Sequence, residues 1–97
     1  MKRIIIEADA EQELDDSVAF YESRRAGLGL EFEQAAREAV QTIHADPDRH
    51  PLRGDGTRRF VMERFPFVIP YADLPEAVWI LAFAHTSRRP GSWRKRR

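Results

Sequence analysis

The chain has 97 residues, of which 42 % are hydrophobic and none is cysteine. A chain of this length is expected to form one compact domain, residues 1–97, around a single core. The lack of cysteine excludes a disulfide scaffold and a thiolate zinc site, and it is typical of a reducing compartment, so we expect a cytoplasmic protein. The longest apolar runs are far shorter than the roughly 20 residues that cross a bilayer, so no membrane partner is expected.

The net charge is zero, but it is divided unevenly along the chain. Residues 1–48 hold twelve acidic and five basic side chains, whereas residues 49–97 hold four acidic and eleven basic ones. Fourteen of the sixteen bases are arginine, whose planar guanidinium pairs well with phosphate and carboxylate oxygens. The C-terminal half is therefore the candidate for contact with an anionic partner, and six of its bases lie in a tail, residues 86–97.

A short strand and a helix are predicted at the start of the chain. Three consecutive isoleucines form the centre of the strand, over residues 2–7. Asp9, with Gln12 three residues later, has the pattern of a helix N-cap and its capping-box partner. Apolar residues then recur at helical spacing, which predicts that the first helix continues to about residue 25.

A second helix is predicted after a glycine turn. Gly27 and Gly29 end the first helix, and apolar residues recur at steps of three and four from residue 30 onward. Pro47 cannot continue this helix, so the two helices are expected to form an antiparallel hairpin. Residues 47–57 contain several prolines and glycines without any periodicity, which predicts a loop.

Three strands are predicted in the second half of the chain, over residues 58–65, 67–73 and 77–85. Pro70 lies inside the middle run and lacks the amide that a central strand donates, so a distortion is expected there. The element order is strand, helix, helix and three strands. This order predicts an α+β domain in which the helix hairpin packs on one face of an antiparallel sheet of about four strands.

The order of these elements and several local patterns resemble the RelE/ParE superfamily of bacterial type II toxins, which are also called plasmid stabilisation proteins. The resemblance covers almost the whole chain. It rests on the glycine turn followed by Glu31-Phe32, on Asp46-Pro47 and His50-Pro51, on Phe65-Pro66-Phe67 leading to Ile69 and Tyr71, and on Ala84-His85 followed by Arg88, Pro90, Gly91 and Trp93. The chain departs from the usual pattern at Phe67 and Ser92, where the superfamily often has tyrosine.

The resemblance implies the toxin of a type II toxin–antitoxin system, which inhibits growth and is neutralised by a cognate antitoxin in a hetero-oligomer. ParE-like members bind and inhibit DNA gyrase, whereas RelE-like members cleave messenger RNA on the ribosome. We favour ParE-like inhibition of gyrase because Phe67 and Ser92 lack phenolic hydroxyls. The alternatives are a RelE-like ribosome-dependent endonuclease and a toxin-fold protein without present toxicity. The antitoxin segment is expected to be acidic or amphipathic and to lie over the helix hairpin and the sheet.

If the chain were an enzyme, it would be a metal-independent endoribonuclease. Such a reaction needs a proton acceptor, a proton donor and cations around the phosphate. The residues that could meet these needs are His85, Glu63, Arg59 and Arg88. His85 has an alternative role, which is to hydrogen-bond the backbone at the end of a strand, and Arg88 could instead form an ion pair in the tail.

The remaining candidate residues are predicted to bind a partner or nucleic acid. They are mostly the bases of the second strand and the tail: Arg58, Arg64, Arg89, Trp93, Arg94, Lys95, Arg96 and Arg97. Side chains alternate along a strand, so at least one of Arg58, Arg59 and Arg64 must face away from the other two. A solvated sheet face is the alternative for these arginines. Trp93 is expected to pin the tail onto the sheet, although it could instead present an aromatic surface to a partner.

No cofactor and no metal are predicted. His44, Asp46, Asp48 and His50 are close in sequence, but they surround a helix end and a proline, so they do not share one face.

Overall fold

The structure is a computed structural model that describes residues 2–87 and Trp93. Its elements confirm the predicted α+β class and the predicted element order. The elements of the described part are β1 (Arg3–Ile6), α1 (Ala8–Arg24), α2 (Leu28–Ala45), β2 (Arg58–Val61), β3 (Phe67–Asp73), β4 (Ala77–Ile80) and β5 (Ala84–His85). Two predicted strands are longer than the observed ones, because residues 58–65 form only β2 and residues 77–85 are divided between β4 and β5.

The strands of the described residues form a mixed sheet in the order β1-β4-β3-β2, and β5 pairs with β3 beyond the end of β4. β2, β4 and β5 are antiparallel to β3, whereas β1 runs parallel to β4. The expectation of an antiparallel sheet is therefore wrong for β1. Turn signals determine the direction of strands joined by a short hairpin, but the chain between β1 and β4 includes both helices and two strands.

The distortion expected at Pro70 is confirmed, and it takes the form of a bulge in the strand opposite. β4 pairs with β3 as far as Ile80, and β5 resumes the pairing at Ala84. Residues 81–83 therefore stand opposite only two residues of β3, Ile69 and Pro70. Three residues opposite two is the arrangement of a β-bulge, which shifts the register by one residue.

The start of α1 differs from the prediction. The helix begins directly after Glu7, which occupies the N-cap position without a capping side chain. Asp9 as the N-cap is therefore wrong, because Asp9 lies inside the first turn, and Gln12 donates to Asp16 at 2.9 Å instead of reaching back to the helix start. The hydrogen bonding of the sheet explains this earlier start of the helix. The amide of Glu7 still donates to a carbonyl of β4 at 2.9 Å, so the chain passes directly from strand pairing into the helix.

The glycine turn of the hairpin is confirmed, and its two glycines have different roles. Gly27 has a φ of 89°, in the left-handed region that side chains with a Cβ rarely adopt. Gly29 lies where the helices approach closely, because a Cβ at this position would be 2.6 Å from the backbone oxygen of Val18. The first glycine therefore allows the turn, and the second allows the helices to pack.

Two clusters of buried side chains lie on opposite faces of the sheet. The larger cluster fills the space between the sheet and the helices, and Phe32 and Phe67 meet there with ring centroids 4.8 Å apart. The smaller cluster, on the other face, consists of Leu81, Ala82, Ala84 and Trp93, with Val68 and Trp79 packed against it. Trp93 is only 3 % exposed. This burial agrees with the interpretation that Trp93 pins the tail onto the sheet.

Neither α1 nor α2 is apolar enough over a sufficient length to cross a lipid bilayer, as judged over residues 2–87 and Trp93.

Candidate functional site

His85 lies at the exposed end of β5, where it pairs with Phe67 of β3. Its ring meets the Phe67 ring with centroids 5.3 Å apart. The Nδ1 atom accepts a hydrogen bond from the backbone amide of Ser87 at 3.1 Å and lies 2.7 Å from the Ser87 hydroxyl oxygen. A neutral imidazole that accepts at Nδ1 carries its proton on Nε2. In this tautomer Nε2 can donate a hydrogen bond but has no lone pair with which to accept a proton.

A shallow pocket of about 330 Å³ lies beside His85, between α1 and the end of the sheet. Its walls are aromatic and polar, and its rim carries one carboxylate. The residues that line it are Asp16, Ser17, Phe20, Tyr21, Phe67, His85 and Ser87. The pocket therefore places the candidate histidine next to an apolar surface that a ligand or a partner side chain could contact.

Glu63 and Arg64 lie after β2, at a different place on the molecule. Glu63 is exposed and lines a second pocket, of about 230 Å³, against α2. Arg64 forms an ion pair with Glu31 of α2, and its guanidinium lies 5.0 Å from the centroid of the Phe65 ring. The hydrogen bond from Arg64 lowers the pKa of the Glu31 carboxyl below its usual value. Arg64 therefore joins β2 to the helix hairpin.

Arg58 and Arg59 face opposite sides of the sheet. Arg58 stands opposite Tyr71, on the helix side, and its Nη1 donates to the His50 carbonyl at 2.5 Å. Arg59 lies on the other side, 3.6 Å from an Asp55 carboxylate oxygen and 5.2 Å from the centroid of the Trp93 ring. The prediction that at least one strand arginine faces away from the others is confirmed.

Tyr71 fastens the loop between α2 and β2 to the sheet. Its side chain is fully buried, and its hydroxyl donates to the Pro47 carbonyl at 2.7 Å. Burial raises the pKa of this hydroxyl to about 12. Together with Arg58, which binds the carbonyls of Asp48 and His50, Tyr71 holds the loop from the helix side of the sheet. These contacts give both side chains a structural role.

The structure does not bring the described members of the candidate catalytic set together. His85 and Glu63 line different pockets, and Arg59 lies on the opposite face of the sheet from His85. The tail residues lie outside the described residues: Arg88, Arg89, Arg94, Lys95, Arg96 and Arg97. Their predicted roles therefore remain predictions.

Residues 44–50 do not form a metal site. His44 contacts the backbone oxygen of Lys2, and the ring of His50 packs edge-on against Phe60 with centroids 5.5 Å apart. Within residues 2–87 and Trp93, no group of three or more histidine or acidic side chains is placed to hold a metal ion.

Phe20 is one of the residues of this region that the sequence patterns did not identify as candidates. The helical spacing of the apolar residues predicts the stripe of α1 that packs against the core, which includes Leu14, Val18 and Tyr21, and Phe20 lies outside that stripe. A phenylalanine in that position must be partly exposed, and Phe20 is 50 % exposed at the rim of the His85 pocket. Its position outside the helical period is the signal that could have identified it.

The fold is similar to that of a chain in a solved structure described as the chromosomal ParDE TA system from P. aeruginosa. The two chains are 22 % identical, and they superpose with a TM-score of 0.76 over 88 % of this chain and 96 % of that chain. The RelE/ParE-like fold that the resemblance implied is therefore confirmed. No protein-family model and no curated protein matches the chain in sequence. At this level of identity the likeness establishes the fold alone.

Proposed function

We propose that this chain is the toxin of a type II toxin–antitoxin pair and that a cognate antitoxin neutralises it in a hetero-oligomeric complex. The observation that supports this proposal is the RelE/ParE-like fold, which extends over 88 % of the chain and is shared with a structure of a TA system. In this proposal residues 1–97 act as one toxin domain in the cytoplasm. Growth inhibition, and plasmid stabilisation where a plasmid carries the pair, would follow from this activity.

We favour inhibition of DNA gyrase, in the ParE-like manner, over RNA cleavage. A nuclease needs its acid, its base and its cations around one phosphate. The described candidates are instead dispersed, since His85, Glu63 and Arg59 lie in three different environments. Inhibition by binding needs no such convergence. This dispersion is the observation that supports a binding mechanism.

A RelE-like ribosome-dependent endonuclease is the second candidate. One observation favours it, which is the position of His85 at an exposed strand end beside an open pocket. In the neutral tautomer that the contact with Ser87 selects, its Nε2–H could donate a hydrogen bond to a phosphate oxygen, whereas protonation of a leaving oxygen would require the imidazolium form. The base and the cations would then have to come from the tail or from the ribosome.

Three measurements on the same preparation separate these functions. Growth after induction tests toxicity, a supercoiling assay with purified gyrase tests the favoured target, and primer extension on cellular transcripts tests cleavage. We expect growth inhibition, loss of supercoiling and intact transcripts. Cleaved transcripts with normal supercoiling would replace gyrase inhibition with the nuclease mechanism. Normal growth, with both assays negative, would leave a toxin fold without present toxicity.

A further inference from the structure

The open pocket beside His85 lies between α1 and the end of the sheet, and we call it the α1–β5 groove. Asp16, Ser17, Phe20 and Tyr21 line it from α1, and Phe67 and His85 line it from the sheet. Phe20 is 50 % exposed at its rim, whereas Phe67 is buried at its base. An exposed phenylalanine above an apolar floor is typical of a surface that receives an apolar side chain from a partner.

The helix that forms one wall of the groove, α1, is strongly acidic, and so is the helix hairpin to which it belongs. α1 has six acidic side chains and one arginine, and α1 and α2 together have nine acids and two arginines. Asp16 accepts a hydrogen bond from Gln12 at 2.9 Å, and over the described residues no cation pairs with it. The groove thus combines an apolar floor with a carboxylate whose charge is not compensated.

The ring of Phe20 already holds a cation on one face. The guanidinium carbon of Arg24 lies 4.9 Å from the Phe20 ring centroid, within the range of a cation–π contact. A second basic side chain, on the Asp16 side of this ring, would meet both the ring and the carboxylate. An acidic side chain there would meet the acids of α1.

We infer that the α1–β5 groove binds a basic amphipathic segment of the antitoxin. An apolar side chain of this segment packs against Phe20 and Phe67, and a lysine or arginine beside it pairs with Asp16. The identity of the partner rests on the proposed function, but the chemistry of the groove does not. Of the two expected kinds of segment, acidic or amphipathic, this surface favours an amphipathic one with basic residues, because opposite charges across an interface favour association.

Synthetic peptides test this chemistry with the purified full-length chain. One probe is an amphipathic helix of leucine and lysine, and its matched control has glutamate at every lysine position. Fluorescence anisotropy is expected to detect binding of the lysine peptide, with at least about tenfold weaker binding of the glutamate peptide. Equal binding of the two peptides, or binding of neither, would overturn the inference.

Two pairs of variants locate the binding site. Asp16→Lys is expected to weaken binding of the lysine peptide about five- to tenfold. Asp15→Lys makes the same charge change outside the groove, so it should change the affinity for this peptide less than about twofold. Phe20→Ala should also weaken binding, and Leu30→Ala, at another exposed apolar position, should not. Circular dichroism checks that each variant is folded. Equal losses of affinity within each pair would show that the peptide is attracted to the whole acidic surface rather than bound in the groove, and would overturn the inference.

Other occupants of the groove give distinct results. A deletion of residues 94–97 that raises peptide affinity would indicate that the chain's own basic tail competes for the groove. If analytical ultracentrifugation detects dimers of the wild-type chain but not of Phe20→Ala, the groove is occupied by a second copy of the chain. Either result would overturn the assignment to the antitoxin.

The inference and the proposed function can fail separately. If the peptide binds at the groove but the chain does not inhibit growth, the proposed function fails and the groove chemistry remains. If the chain is toxic and its antitoxin binds the Asp16→Lys and wild-type chains equally well, the groove is not the antitoxin site.

Discussion

Glu22, near the end of α1, accepts a hydrogen bond from the backbone amide of Gly29 in the first turn of α2, with an oxygen–nitrogen distance of 3.1 Å. The same carboxylate accepts from the amide of Gly27 at 3.0 Å. These amides are among the first of the helix, which have no intrahelical partner. A negative charge is also favoured at this end of a helix. The second helix is therefore capped by the first, and the close approach at Gly29 makes the cap possible.

Gly29→Ala is expected to destabilise the fold, because the new Cβ would meet the Val18 backbone oxygen at 2.6 Å and the Glu22 Cβ at 2.9 Å. Both atoms belong to the packed helix hairpin and cannot move freely, so we expect a loss of about 1–3 kcal/mol in the free energy of unfolding. Urea denaturation measures it. Gly54→Ala is the matched control, since nothing lies within 4 Å of its Cβ position. Equal stability of the two variants would show that the helices are not in close contact at Gly29.

Tyr71 is expected to make the fold sensitive to high pH. Its pKa is raised from 10 to about 12, so the unfolded chain releases the hydroxyl proton at a lower pH than the folded chain. The contribution of Tyr71 is fully present below about pH 10 and is lost as the pH rises through about 12, with an upper limit of about 2–3 kcal/mol. Denaturation at a series of alkaline pH values measures this loss.

The Tyr71→Phe variant is the control for this pH dependence. It should be less stable at neutral pH by about 1 kcal/mol, because the Pro47 carbonyl loses its hydrogen bond. Its stability should then fall less between about pH 10 and 12 than that of the wild type. An equal fall in both proteins would assign the alkaline loss to other groups, such as Tyr21, whose pKa burial also raises.

His85→Ala is expected to separate chemistry from binding. His85 is exposed, so its removal should change the free energy of unfolding by less than about 1 kcal/mol. If the toxin inhibits gyrase by binding, growth inhibition should persist. Thr86→Ala, at the next exposed position, controls for local disturbance of β5. Loss of growth inhibition together with loss of transcript cleavage, at unchanged melting temperature, would instead place His85 in a nuclease mechanism.

The basic tail and Trp93 should have separable effects. Trp93→Ala is expected to reduce both stability and toxicity, with a loss of about 2–4 kcal/mol, because the ring is 3 % exposed and contributes to the smaller buried cluster. Deletion of residues 94–97 should leave the melting temperature unchanged and reduce toxicity, since four consecutive basic side chains are not expected to add to a hydrophobic core. Thermal melting and growth inhibition are measured for both variants. Full toxicity of the shortened chain would show that the last four residues do not contact the target.

The features that the sequence predicted are those that depend on local patterns. The glycine turn and the distortion at Pro70 follow from backbone chemistry at single positions, and the element order follows from periodicity. The direction of β1 could not be predicted, because the chain that separates it from β4 contains no turn signal for their pairing. The separation of His85 from Arg59 likewise depends on strand register, which residue types do not specify. The prediction of Asp9 as the N-cap was wrong because the hydrogen bonding of the strand continues to Glu7, and the helix begins directly after it.

The bulge opposite Pro70 determines on which side of the sheet the last strand presents its side chains. Along a regular strand the faces alternate, so Ile80, which packs toward the helices, would place residue 85 on the far side. The extra residue reverses this parity after Leu81: Phe83 joins the helix-side core, Ala84 joins the cluster on the other face, and His85 faces α1. Removal of Ala82 would therefore restore regular alternation without changing these faces: His85 would then be the fourth residue after Ile80 and still face α1, Phe83 would stay on the helix side, and only the bulge would be lost.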